Sequence, residues 1–290
     1  LLKNKDMVFS IPSNGIPFTL LLEVQSNRPE TISIVAKDAN VRKDLGQADT
    51  FYVSRVADLK GKRLFELKFP QTPKLMSLSV FNTKKGNFPN DEDKSFKVTK
   101  FEAKELKTCP LWQDKEMHSF IKFAQQFCEQ ASNLSAGDYK PSIYRSDDGK
   151  FCIDYYDKIR NRKTGEYVGT PARVGHHTGI VEISKSDFAK YTVPMRMIIL
   201  LHEFSHKYMN PKIGRDIADE TSADINALNI YLSLGYPFIE AQYAFLKVFR
   251  GANNDGNRKR YLILNDFITK FAKGELQNSC NLNYAVDSVK

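Results

Sequence analysis

Along the first hundred residues, apolar and polar positions alternate with a period of two. Residues 18–24, 31–35, 51–56, 64–69, 75–81 and 96–101 read as strands. Side chains of a strand point to opposite faces in turn, so alternation gives one dry face and one wet face. Turn-forming residues separate these runs: Ser13-Asn14-Gly15, Lys60-Gly61, Lys85-Gly86-Asn87 and Pro89-Asn90-Asp91. Short strands at this spacing predict an antiparallel β-sandwich. Near Cys109-Pro110 the period changes. Met117, Phe120, Ile121, Ala124, Phe127, Cys128, Ala131 and Leu134 recur three and four apart, the stripe of a core-packing helix that Gly137 and Pro141 should end. Residues 142–144, 151–156 and 179–184 then read as strands.

Helical spacing returns with Val193, Met197, Leu200, Leu201 and Phe204, with Thr192 as N-cap, Pro194 in the first turn and Asn210-Pro211 as the stop. Ile225, Leu228, Tyr231 and Leu232 carry a further helix to Gly235. Residues 237–250 form another. A last stripe, Tyr261, Leu264, Phe267, Ile268 and Phe271, runs to Gly274, after a loop at Asn253-Asn254-Asp255-Gly256. The fold class is therefore α+β. An N-terminal antiparallel β-sandwich-like domain, residues 1–108, precedes a domain of small sheet and helices, residues 109–290.

Length agrees with two domains, since 290 residues exceed a typical single one. Charge changes the picture little. The formal net charge is +9, spread over 19 Lys/Arg against 13 Asp/Glu in residues 1–108 and 24 against 21 in the rest. Clusters such as Lys60-Gly61-Lys62-Arg63 and Arg258-Lys259-Arg260 have no interleaved aromatic residues. This argues for a general surface charge over a nucleic-acid site. No apolar run approaches a membrane span. Cys109, Cys128, Cys152 and Cys280 are scattered and make no C-x-x-C pair, which reads as reduced thiols. The start at Leu1-Leu2 reads as a trimmed N-terminus. A cytoplasmic or virion-associated location is expected. Residues 1–108 hold no histidine and no catalytic constellation, so a binding or assembly module is expected there.

The chemistry concentrates in Leu200-Leu201-His202-Glu203-Phe204-Ser205-His206. Residues four apart share a helix face, so His202 and His206 can hold one Zn²⁺ together. Glu203, next to the first histidine, can take a proton from water activated at the metal. This is the H-E-x-x-H pattern of metal-dependent hydrolases. Fourteen residues after His206 comes Glu220, followed by Ala223 and Asp224. Glu220 and Asp224 again share a face. Glu220 could complete the metal site, with Asp216, Asp219 or Asp224 as the next candidates. Asp224 could accept the outer N–H of a metal-bound histidine. His176-His177, Arg173 and Tyr231 are possible helpers toward substrate or an oxyanion.

His202-Glu203-Phe204-Ser205-His206 with Glu220-x-x-Ala223-Asp224 resembles the gluzincin branch of the zincin metallopeptidases, over roughly residues 175–235. The segment is also faintly similar to metallopeptidases of Bacteroidetes and their phages. The resemblance implies a zincin-like domain in which His202, His206 and Glu220 bind zinc, Glu203 is the base and a peptide is hydrolysed. A metzincin would need histidine where Lys212 stands. The two motifs lie closer together than in thermolysin-like enzymes, which implies a tight loop over residues 210–215. In zincins the strand before the metal helix, here 179–184, is often the sheet edge on which substrate pairs. The partner is then a protein or peptide substrate. The expected alternative is a structural or assembly protein, such as a virion component, that retains a zincin-like domain.

Overall fold

The computed structural model describes residues 6–40, 49–83, 96–108, 115–175, 177–207, 220–250 and 255–276. The chain divides into two units, 1–107 and 108–290. The first contains strands β1 (Asp6–Ile11), β2 (Phe18–Asp38), β3 (Thr50–Phe69), β4 (Met76–Asn82) and β5 (Phe96–Glu105), all paired antiparallel in one sheet.

Two expectations are corrected here. The runs 18–24 and 31–35 belong to one strand, β2, and 51–56 and 64–69 to another, β3. Lys60-Gly61 is not a turn between strands. Gly61 has φ +80° inside β3, opposite Ser26, and the β2–β3 register shifts between Ser26 and Glu30. An irregularity of this kind bends a ribbon sharply without ending it. Tyr52 and Phe69 lie at opposite ends of β3, yet their ring centroids are 6.1 Å apart. A straight strand would separate them by about 55 Å. The ribbon therefore folds back on itself. The first half of β2 pairs with β5 and the second half with β4. One bent sheet thus replaces the expected pair of stacked sheets. Its dry face carries Leu20, Leu22, Val24, Ile32, Ile34 and Ala36, all fully buried. β1 escaped the sequence pattern because it is a short edge strand with Val8 half exposed.

The second unit builds a four-stranded sheet from β6 (Ser142–Arg145), β7 (Cys152–Tyr156), β8 (Ala172–Val174) and β9 (Val181–Ser184). The order is β6-β7-β9-β8, with β7 and β9 parallel and the other pairs antiparallel. This corrects the expectation that 179–184 forms the edge. β9 is interior and wholly buried, and the edge is β8. Three residues are too few to show alternation, so β8 left no sequence signal.

Helices α1 (Lys115–Gln130), α2 (Lys185–Phe188), α3 (Val193–Ser205), α4 (Glu220–Ser233), α5 (Phe238–Arg250) and α6 (Asp255–Ala272) complete the unit. α1 stops at Gln130, well before Gly137, and a turn follows in which the Asn133 and Leu134 N–H groups share the Gln130 carbonyl. Asp255 and Gly256 open α6 and do not lie in a loop. Asn210-Pro211 and the expected tight loop lie outside the described residues.

α3 is apolar almost all round, as a helix buried on every side must be. α1, α4, α5 and β8 pack around it. Thr192 caps it by accepting from the Met195 N–H, and its hydroxyl donates to Glu240. Phe204 stacks on Phe120 with ring centroids 4.2 Å apart. Arg196 is fully buried within this apolar helix. Its guanidinium donates to the carbonyls of Cys128, Phe188 and Ala189 and to the Ser132 hydroxyl. It thereby ties the end of α1 and the α2 turn to α3. Among the described residues no helix is long and apolar enough to cross a membrane. Cys128 and Cys152 are free thiols.

Candidate metal centre

The last turn of α3 and the first turn of α4 supply the site. His202 Nε2 and His206 Nε2 lie 3.0 Å apart. Glu220 Oε2 is 3.4 Å from the first, and Glu220 Oε1 is 3.6 Å from the second. Donors held by a tetrahedral zinc at about 2.0–2.1 Å sit roughly 3.3–3.4 Å from one another. The three groups therefore already stand at ligand spacing, and they form a cluster that could hold a divalent ion. Among the described residues the cluster offers two imidazoles and one carboxylate, a donor set able to hold a divalent metal ion.

Behind the cluster, Asp224 Oδ1 lies 2.8 Å from His202 Nδ1, in a bent geometry that leaves both atoms short of a well-aligned bond. Asp224 is almost fully buried. Its other oxygen accepts from Arg260 Nε at 2.9 Å and Nη2 at 2.7 Å. The same Arg260 Nη2 donates to Glu220 Oε2 at 3.2 Å. Arg260 thus braces both carboxylates from α6. In the sequence it looked like part of a surface cluster, and no local pattern could have tied it to residues 36 and 40 positions earlier.

Electrostatics follow from this crowding. Burial lowers the His202 pKa, but the Asp224 carboxylate 2.8 Å away, with help from Glu220 and Glu203, pushes it up to about 10. The hydrogen bond to His202 and the charges of His202, His206 and Arg260 hold Glu220 down at about 2, against some desolvation. Glu203 is only 8% exposed. Burial raises its pKa, as does the charge of Glu220, while His202, His206 and the Val174 N–H pull it back.

A cavity of ≈ 450 Å³ opens over the cluster, and β8, α3, α5 and α6 contribute to its lining. His202, Glu203, His206, Glu220 and Asp224 all face it. The hydrogen-bond parity of β8 decides what the strand offers there. Ser184 N–H donates to the Pro171 carbonyl and Gly175 N–H to the Ile180 carbonyl. Residues 171, 173 and 175 therefore turn their main chain toward β9, and Ala172 and Val174 turn theirs outward. The outward Val174 N–H meets Glu203, and the Ala172 carbonyl accepts from the Thr170 hydroxyl at 2.8 Å.

The suspected helpers divide. Tyr231 lies in the core, its hydroxyl donating to the Pro237 carbonyl at 3.1 Å. Arg173 lines the cleft, but its guanidinium is held by Glu182 and the Arg160 carbonyl. His177 faces a different cavity, and His176, Asp216 and Asp219 lie outside the described residues. Comparison of the chain with protein-family models, with curated proteins and with solved structures gives no match.

Proposed function

We propose that the chain is a zinc-dependent peptidase of gluzincin-like type. The observation that carries this is the convergence of His202, His206 and Glu220 donor atoms, all within 4.8 Å, at the floor of a cleft that also holds the buried carboxylate of Glu203. In this reading the three residues are the ligands and Asp224, braced by Arg260, orients His202. When bound, the ion acts as a Lewis acid that makes water nucleophilic near neutral pH and polarises a carbonyl. Glu203 accepts the proton of the attacking water and passes it to the leaving amine. The Val174 N–H keeps that carboxylate aimed into the cleft. With the Val174 N–H on Glu203 and the Ala172 carbonyl on Thr170, the outward Ala172 N–H and Val174 carbonyl receive the substrate backbone, which favours an extended peptide over a folded one.

A structural zinc site would be closed by four protein ligands. Among the described residues three donors converge beneath an open cleft, and this favours catalysis over the assembly reading. The test is zinc content together with hydrolysis of an unfolded protein mixture, for wild type, Glu203→Gln and Glu220→Ala. The expectation is about one zinc per chain in the first two, cleavage reduced about 10²–10⁴-fold in Glu203→Gln, and zinc lost in Glu220→Ala. Zinc without cleavage in the wild type would favour the structural reading. Full zinc in Glu220→Ala would remove it as a ligand.

A further inference from the structure

The edge strand β8 borders two cavities. Beyond the metal cleft lies a second one of ≈ 590 Å³, and Arg173 and Val174 belong to both linings. Its polar wall is Asn161, Arg162, Lys163, Arg173, His177 and Glu182. Three of these side chains are permanently cationic and one is a carboxylate. Glu182 is buried, and both Arg162 and Arg173 already bond to it. Asp154, opposite Glu182 on β7, adds a negative charge behind it, with Arg145 close enough to offset that charge. The cavity therefore keeps a positive excess, and Lys163 is an exposed cation beside an Arg162 side chain that is 79% exposed.

Strand geometry connects this cavity to the cleft. Arg173 stands opposite Glu182 and shares its face of the sheet. Ala172 and Val174 point to the other face, where Val174 meets Glu203 and Phe204. A peptide added along the outward edge of β8 would alternate in the same way. The residue beside Arg173 would send its side chain into the basic cavity, and its neighbours would face the metal side. The described lining residues include no Phe, Tyr or Trp on which a nucleobase could stack.

We propose that the basic cavity bounded by Arg162, Lys163, Arg173 and His177 is a specificity subsite that takes an Asp or Glu side chain of the substrate peptide. The proposal rests on the peptidase reading, with β8 as the docking edge. A carboxylate there gains charge-assisted hydrogen bonds, while a Lys or Arg is repelled. The expected preference for Glu over Gln at that one position is about tenfold.

The test uses the zinc-loaded full chain and peptides from an unfolded protein digest, with cut ends sequenced and Glu203→Gln as background. Asp and Glu should be enriched at one fixed distance from the cut bond. Lys163→Glu leaves both arginine pairs of Glu182 in place and should abolish or reverse that enrichment. A flat profile, or enrichment untouched by Lys163→Glu, overturns the subsite and leaves the peptidase reading standing. If nothing is cut, fluorescent polyalanine peptides carrying one Glu, and their Gln twins, are titrated against the zinc-loaded Glu203→Gln chain. Tighter binding of the Glu peptide, lost in Lys163→Glu, supports the subsite although the peptidase reading has failed. Equal affinities, or no binding, overturn it.

Discussion

At the scale of single residues, His202 carries the most strain on its protonation. Without metal, its pKa is raised from an ordinary 6.5 to about 10, because the nearby carboxylates of Asp224 and Glu220 outweigh its burial. A raised pKa in the folded state means that the folded chain holds a proton the unfolded chain has released. The stabilisation is complete below pH 6.5, falls between 6.5 and about 10, and is gone above that. The metal-free chain should therefore lose on the order of 3–5 kcal/mol of stability across this window. Urea unfolding in chelator, compared between wild type and His202→Gln, isolates the effect, since glutamine does not titrate. Parallel slopes in the two proteins would show that His202 is not held protonated. In the proposed site a metal ion would take the place of that proton, so its binding would weaken as pH falls. This residue-scale chemistry was legible where a helix sets the spacing. His202 with His206, and Glu220 with Asp224, are pairs four apart, and the helix alone puts each pair on one face. Arg260 was not legible, because only the packing of α6 brings it to Asp224.

At the scale of elements, the informative case is an arginine inside an apolar helix. Arg196 is 1% exposed, and it donates to carbonyls at the ends of α1 and α2, where a helix runs out of its own N–H donors. Its removal takes one donor from each of three carbonyls and from a hydroxyl, while the Phe188 carbonyl keeps the Tyr191 N–H. Arg196→Met should cost about 3–5 kcal/mol, more than its packing volume suggests, since each buried acceptor deprived of a donor carries its own penalty. Thermal or urea unfolding measures this, and a cost under about 1 kcal/mol would mean that other donors replace the guanidinium. Sequence periodicity located α3, α4 and α6 because long amphipathic or apolar runs repeat their signal. It failed where a signal was ambiguous or short. Lys60-Gly61 has turn composition but sits in a bend of a continuous strand, and β8 is only three residues long. That failure matters for function, because the short strand supplies both the N–H on Glu203 and the proposed docking edge.

At the scale of the whole molecule, the described groups of the candidate metal site come from residues 174–260, inside the second unit. The first unit has its own core, formed where the bent β2–β3 ribbon closes on itself through Tyr52 and Phe69. Residues 108–290 expressed alone should then bind zinc with the stoichiometry and affinity of the full chain, and residues 1–107 alone should unfold cooperatively and bind none. Zinc titration and thermal unfolding of the two pieces and the full chain check this. A tenfold or greater loss of zinc affinity in 108–290 would mean that the first unit helps to shape the site. Independent behaviour would separate the two roles, with zinc chemistry in the helical unit and any recognition of large partners left to the sheet. Peptide cleavage by 108–290 alone, with the Asp/Glu preference of the full chain, would then place the discrimination of substrates in the second unit and not in the sheet of the first.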